Sequence, residues 1–516
     1  MQKVDFDKIS KIHFIGVGGI GLSAIARLMK ERGKEVSGSD LSRSLMVESL
    51  EKIGIKIYIG QSEKNINKNI NLVIHTTAIS EENPELKRAR GLEIKTITYP
   101  ESLGLVFNDK FGIAVCGTHG KSSTTAMAGL LLDDTKLDPS VIVGSIVPRY
   151  KSNLRVGKSK YFLTEACEYE RAFLNYYPRI IILNNIELDH TDYYKDIKDF
   201  RSAFEEFVGH LPEGGILICN GDDKEISNIK YQISNQFQMS NVKIINFGLS
   251  ENNDVLGYNI KTEEGKTKFN VKYKGEDLGE FVLKVPGIFN VYNSLGVISL
   301  GLVLNVPIEK IKKSLENYSG IWRRFEIKGE YKPAAAPHKL WRGKSALVIS
   351  DYAHHPTAVK STIEAAREFY PGKRIFAVFQ PHQHNRTKKL YKDFLNSFYS
   401  ADVVILSEIF DVAGREEKQD QNISSYNMVE DIKKKLENKE TGNWKLETKN
   451  WKLGNIVPTL EKGARGISRL DSKNIFYAKN LEETRKLIDE KIKSDDILLI
   501  MGAGDIYKMA DELVKK

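Results

Sequence analysis

The stretch CGTHGKSSTT, residues 116–125, follows the apolar run FGIAV and precedes AMAGLLL. An apolar run, a glycine-punctuated turn and a second apolar pattern read as strand, loop and helix. Gly117 and Gly120 let the backbone of Gly117-Thr118-His119-Gly120 turn its N–H groups toward phosphates. Lys121 would neutralise the outer phosphate oxygens, and the Ser122 hydroxyl is suited to Mg²⁺. A lysine opening a helix adds charge to the positive end of the helix dipole, which is unfavourable unless an anion offsets it. Val115 stands where the common phosphate-binding loop has its first glycine, so this loop is a short variant. The stretch predicts an ATP site at the edge of a parallel α/β sheet.

Upstream, HFIGVGGIGLSAIARLM at 13–29 contains a second glycine loop. Gly16, Gly18 and Gly21 fit G-x-G-x-x-G between a strand and a helix, and Asp40 closes the next strand. That pattern brings backbone N–H groups and a helix N-terminus to a diphosphate. Alone it would also fit an NAD-dependent oxidoreductase, but such enzymes have no need of a second, ATP-type loop. The two loops together make sense as a division of labour. One presents a diphosphate-bearing substrate and the other holds ATP.

Strand–helix alternation runs through KIHFIGV, EVSGSD and LVIHTTAI to about residue 107 and restarts at FGIAVCG. It continues through KYFLTEACEYE, PRIIILNNIELDH, GGILICNGDD and VKIINFG. A third unit opens near WRRFE, with strands in ALVISDYAHHP, RIFAVFQPH, DVVILSEIFDVAG and DDILLIMGAGD. The 516 residues accord with about three domains, 1–107, 108–319 and 320–516. Two segments, 331–345 and 437–474, read as surface excursions, the second with a small hairpin. Hydrophobic content of 41% and charged content of 28% describe an ordinary globular chain. No run approaches the roughly 20 apolar residues of a membrane span, and the N-terminus does not read as a signal peptide. Three cysteines without metal-type spacing fit a reducing cytoplasm. A net charge of +9 favours acidic partners. No nucleic-acid-binding motif accompanies it, and a nucleotide substrate accounts for the sign equally well.

Eight blocks in order carry a family resemblance: GVGGIGLS at 16–23, GTHGKSSTT at 117–125, EACEYE at 165–170, NNIELDH at 184–190, WRRFE at 322–326, DYAHHPT at 351–357, FQPHQHNRT at 379–387 and MGAGD at 501–505. They resemble the Mur ligases of peptidoglycan synthesis over nearly the whole chain apart from the two excursions. The resemblance implies a three-domain α/β architecture. A Rossmann-like N-terminal domain would hold the UDP-sugar, and a central ATPase domain would be built on a mostly parallel sheet. A Rossmann-like C-terminal domain would close over ATP and the amino acid. It further implies a cytoplasmic monomer or homodimer that takes UDP-N-acetylmuramate, L-alanine and ATP with Mg²⁺, without nucleic acid or membrane insertion. A carboxylate is a poor electrophile. Transfer of the ATP γ-phosphate to the lactyl carboxylate would give an acyl phosphate, which the alanine amine attacks. The FQPH…RT block favours this branch over the alternative, ligation of a whole tripeptide.

By motif position the resemblance assigns Lys121, His190, His354 and Arg386 to catalysis. Gly117, Thr118, His119, Gly120, Lys121, Ser122 and Ser123 would hold ATP, with Asn290 and Asn293 at adenine and Arg324 and Asp351 reaching from the third domain. Ser122, Glu165 and His190 would hold Mg²⁺. Gly16, Gly18, Gly19, Gly21, Ser23, Asp40, His75, Thr76 and Thr77 would surround the UDP-sugar. The chain departs from the family pattern at Cys167, where aspartate is common, at Phe289, where histidine is frequent, and at Gln383-His384-Asn385 in place of an Arg-Tyr pair. His355 reads either as a site residue or as packing at a helix start.

Overall fold

A capping box opens the helix that joins the first two sheets. Thr98 Oγ1 accepts from the Glu101 N–H, and the Glu101 carboxylate accepts from the Thr98 N–H at 2.7 Å. The helix Tyr99–Asn108 then leads directly into the strand Phe111–Cys116. The computed structural model describes residues 4–235, 241–263, 265–334, 341, 344–411, 422–440 and 469–515.

Three sheets follow one another along the chain. The first holds five strands in the order Lys56–Ile59, Glu35–Asp40, Lys11–Ile15, Leu72–His75 and Lys95–Thr98, all parallel. The second is ten-stranded. Its parallel centre contains Phe111–Cys116 between Ile180–Leu183 and Tyr161–Glu165. Ile180–Leu183 is buried at every position, as expected of a strand covered on both faces. An antiparallel meander of Val255–Glu263, Lys266–Tyr273 and Glu276–Leu283 extends one edge. The third sheet has six strands, parallel except where Glu326–Tyr331 pairs antiparallel with Ala346–Asp351. This is the expected three-domain α/β architecture with a mostly parallel central sheet.

The cores do not divide as the sheets do. Leu22, Ile25 and Met29 of the helix Ile20–Glu31 belong to one buried cluster with Leu103, Phe107, Phe162 and Phe204 of the following segments. One apolar body therefore spans the first two domains. The opposite face of the central sheet and the two faces of the third sheet have clusters of their own. In the helix Ile197–Val208, Phe200, Phe204 and Phe207 are fully buried, each contributing about 1.5–3 kcal/mol.

Both expected surface excursions need correction. Tyr331 ends a strand, and Trp341 is 5% exposed in the same cluster as Val348 and Ile500, because the indole covers one face of the third sheet. Residues 437–440 complete the helix Ser425–Glu440, and Leu470 is buried. The remainder of the second excursion, with its hairpin, lies outside the described residues. Among the described residues no helix is long and apolar enough to cross a membrane.

Candidate active site between three domains

The glycine loop of the first domain is shaped by close approach. A Cβ at Gly16 (φ +79°) would lie 2.6 Å from the Thr76 methyl, and one at Gly21 would lie 2.5 Å from the Tyr99 ring. Asp40 Oδ2 accepts from the Gly18 N–H at 2.8 Å, so this carboxylate tethers the loop itself. His75 ends the strand Leu72–His75, and Thr76 and Thr77 follow it beside the loop; His75 Nδ1 contacts the Thr76 carbonyl at 3.0 Å. Ser23 is placed differently. It is fully buried, donates to the Ile20 carbonyl and accepts from Asn153 Nδ2 at 3.1 Å. It fastens the first domain to the second, one turn behind the loop.

The second loop is held from below by NNIELDH. Thr118 N–H donates to the Asn185 carbonyl at 3.1 Å, and His119 N–H donates to Asn185 Oδ1 at 2.8 Å. Gly120, at φ +81°, starts the helix Lys121–Asp134; a Cβ there would lie 2.2 Å from Asn293 Oδ1. Asn290 Nδ2 donates to the Pro286 carbonyl, and Asn293 Nδ2 donates to Asn290 Oδ1. This asparagine pair thus braces the loop from the neighbouring helix Ile288–Val303.

Lys121 Nζ donates to the Gly117 carbonyl and to Glu168 Oε1 at 2.8 Å. Burial would lower the lysine and raise the carboxyl, but their mutual attraction outweighs this. Lys121 sits above the ordinary lysine value and Glu168 below the ordinary carboxylate value. Glu168 Oε1 also lies 3.5 Å from His190 Nε2, and its Oε2 is buried with no hydrogen-bond partner among the described residues. Ser122 Oγ donates to Glu165 Oε2 at 3.0 Å, and Gly144 N–H donates to Glu165 Oε1. Burial raises the Glu165 carboxyl. Ser123 is largely buried but reaches the cavity lining. His190 takes φ +49° and packs its ring on Tyr169 at 4.8 Å. Hard oxygens at Ser122 and Glu165 with a buried, unpartnered carboxylate oxygen on Glu168 form a donor set that fits Mg²⁺.

The third domain brings the remaining residues over this loop. Arg324 stacks on Tyr352 at 4.8 Å, whereas Arg323 turns inward to the carbonyls of Gly502 and Gly504 in MGAGD. Both Asp351 oxygens accept backbone N–H groups, from Phe325 at 2.6 Å and Ala353 at 2.7 Å, so this carboxylate shapes the turn it occupies. His354 Nδ1 donates to the Tyr352 carbonyl at 2.9 Å, which leaves Nε2 as the lone-pair nitrogen. Burial and then Arg386 hold it well below the ordinary histidine value, so it is neutral at pH 7. Arg386 Nε donates to Asp189 Oδ1 at 3.1 Å across the domain seam. His355 caps the helix Pro356–Phe369 through Nδ1 and also lines the cavity described below, so the structure supports both of its readings.

A cavity of about 1260 Å³ unites these parts. Gly18, Gly21 and Thr77 line one end, Thr118 through Ser123 with Glu165 and His190 the middle, and Arg324, Asp351, His354 and Arg386 the third-domain side; Asn290 and Asn293 also face it. Gly16, Gly19, Asp40, His75, Thr76 and Gly117 support that lining, and Ser23 stands apart. The sequence reading missed Glu168, Glu187 and Asp189. Their signal was the second acid of EACEYE and the two acids of NNIELDH, blocks already recognised.

Family models and known proteins match the chain along its length. Residues 11–111 match the model of the Mur ligase family catalytic domain, 115–301 the Mur ligase middle domain, and 338–504 the Mur ligase glutamate ligase domain. The UDP-N-acetylmuramate–L-alanine ligase of Persephonella marina is 37% identical over 98% of this chain and 96% of its own length. The ligase of the same name from Clostridium tetani is 38% identical over 99% of both. Among solved structures, the UDP-N-acetylmuramate–alanine ligase of Thermotoga maritima superposes with a TM-score of 0.73 at 25% identity, over 98% of each chain. A murein peptide ligase from Psychrobacter arcticus shares the fold, with a TM-score of 0.66 at 19% identity over 98% of this chain and all of its own. With three domains, two glycine loops and this likeness along almost its full length, the chain belongs to the Mur ligase family.

Proposed function

We propose that this protein ligates L-alanine to the lactyl carboxylate of UDP-N-acetylmuramate at the expense of ATP, supplying peptidoglycan precursors. The observation that carries the reading is the single cavity lined by both glycine loops and by His354 and Arg386. The likeness to ligases of that name over nearly full length supports it.

The N-terminal loop would present the UDP diphosphate to backbone N–H groups. Lys121, now on loop carbonyls and Glu168, would turn to the ATP phosphates, and Arg324 would meet them from the third domain. Ser122, Glu165 and His190 would hold Mg²⁺, which when bound neutralises phosphate charge. The γ-phosphoryl passes to the lactyl carboxylate, breaking the bond to ADP and forming an acyl phosphate. His354, neutral and with Nε2 free of the Tyr352 contact, would take a proton from the alanine ammonium. The amine then displaces inorganic phosphate to leave the amide. Arg386 beside Asp189 would orient the alanine carboxylate and balance the charge of the tetrahedral intermediate.

Phosphate release from ATP, Mg²⁺ and UDP-N-acetylmuramate tests the reading with L-alanine, murein tripeptide or no amine. One phosphate per amide with alanine is the expected result. Release only with tripeptide would transfer the protein to the peptide-ligating branch, and release with neither would overturn the substrate assignment.

A further inference from the structure

Beside the proposed magnesium residues lies a second group of metal-type donors, whose side chains the reaction scheme does not use. His119 comes from the phosphate loop, Glu187 from the NNIELDH segment and His355 from the third domain. One donor atom from each lies within 4.8 Å of the others. Glu187 Oε2 stands 2.9 Å from His119 Nε2 and 3.9 Å from His355 Nδ1. Donors held about 2.0–2.2 Å from a tetrahedral zinc lie about 3.3 Å apart, so the observed separations straddle the required one.

The surroundings are built for a ligand. Thr357 Oγ1 donates to Glu187 Oε1 at 2.7 Å, which fixes the carboxylate and leaves Oε2 facing the imidazoles. His355 is 3% exposed, and its Nε2 is buried with no hydrogen-bond partner among the described residues. The nitrogen that faces Glu187 is Nδ1, which receives only a long contact from the Thr357 N–H, at 3.3 Å, that a metal would replace. The ring is therefore weakly committed and can give a nitrogen to a metal. The centroids of the two imidazole rings lie 5.1 Å apart with the planes tilted by 55°. All three side chains line the cavity, which leaves the fourth position open. Two imidazoles and one carboxylate suit zinc and its neighbours, whereas magnesium prefers oxygen.

We propose that His119, Glu187 and His355 form a zinc-class site that clasps the third domain to the phosphate loop. Because two ligands belong to the central domain and one to the C-terminal domain, occupancy holds the cavity shut and opposes the opening that product release requires.

Cobalt(II) added to the full-length protein without nucleotide is the test, read as visible absorption. One equivalent should give the intense bands of a four-coordinate ion, and zinc should abolish them. His355→Asn, which retains a cap-forming side chain, and Glu187→Gln should both lose the bands. Glu165→Ala should keep them, which separates this site from the proposed magnesium residues and makes the result independent of the ligase reading. Zinc should raise the melting temperature of the native chain but not of His355→Asn. Only the weak absorption of a six-coordinate ion, or bands that survive His355→Asn, would overturn the proposal.

Discussion

Arg386 of the third domain and Asp189 of the central domain meet at 3.1 Å with both side chains buried. Burial would raise the Asp189 carboxyl. Arg386, together with His190, His354 and His355, instead holds it well below the usual carboxylate range. Removing one partner strands a charge, at a cost of about 3–5 kcal/mol. Asp189→Asn and Arg386→Gln should each lower the melting temperature and raise the KM for the amino acid. The double variant should regain stability without regaining activity. Single variants that melt like the native chain would show that the pair does not hold the seam.

Lys121→Ala should cut ATP-dependent ligation by about 10²-fold or more while UDP-N-acetylmuramate binding stays near normal. The nucleotide sugar is assigned to a loop on another domain. Gly120→Ala should be comparably damaging, since its Cβ would meet Asn293 Oδ1 at 2.2 Å with φ at +81°. Phosphate release and sugar-nucleotide titration calorimetry check both, and retained turnover in Lys121→Ala would remove the loop from the chemistry.

Acidification should destabilise the fold through His355. Burial, and then His119, lowers its pKa from 6.5 to about 4, against the opposing pull of Glu187 and Asp189. The unfolded chain therefore takes up the proton first. The His355 contribution is fully present above pH 6.5 and falls between 6.5 and about 4, by roughly 3 kcal/mol. His354, also held below the ordinary value, adds to the loss in the same direction. Glu187 and Asp189, both lowered, add to the loss at still lower pH as they protonate. Urea unfolding at pH 7 and pH 5 should show a smaller drop for His355→Asn than for the native chain. Equal drops would place the proton uptake elsewhere.

Deleting residues 441–468 and joining their flanks by a short linker should leave activity within about threefold of native. The flanks are anchored independently. Arg469 N–H donates to the Tyr399 carbonyl at 3.1 Å, and Leu470 is buried. The larger cut, 437–474, would remove Leu470 and the end of a helix, and should lower the melting temperature. Thermal unfolding of the two deletions, with phosphate release, distinguishes them.

Both glycine loops were legible because their grammar is local: apolar strand, glycines at fixed spacing, helix. Asp40 also closes its strand where the sequence places it, and strands run within LVIHTTAI, FGIAVCG and KYFLTEACEYE as expected. Glu168, Glu187 and Asp189 were not legible as individuals. An acid beyond a strand end looks the same whether it meets solvent or a buried cation. Only Lys121, His119 and Arg386, brought from distant segments, distinguish these three. The antiparallel meander had a usable signal in the alternation of TKFNVKY, where Phe269 and Val271 are buried between more exposed residues. Trp341 gave none, because a lone aromatic among prolines and alanines does not say which face it will cover.

The apolar body shared by the first two domains has a calorimetric consequence. Leu22, Ile25 and Met29 cannot be exposed without disturbing the cluster that also contains Phe107, Phe162 and Phe204. The third domain has buried clusters of its own, and the pairs that join it to the central domain include Arg386–Asp189, Thr357–Glu187 and Ser145–Trp322. Heating should therefore divide a chain of three sheets into two cooperative melting units rather than three, parting near the segment Ile321–Phe325.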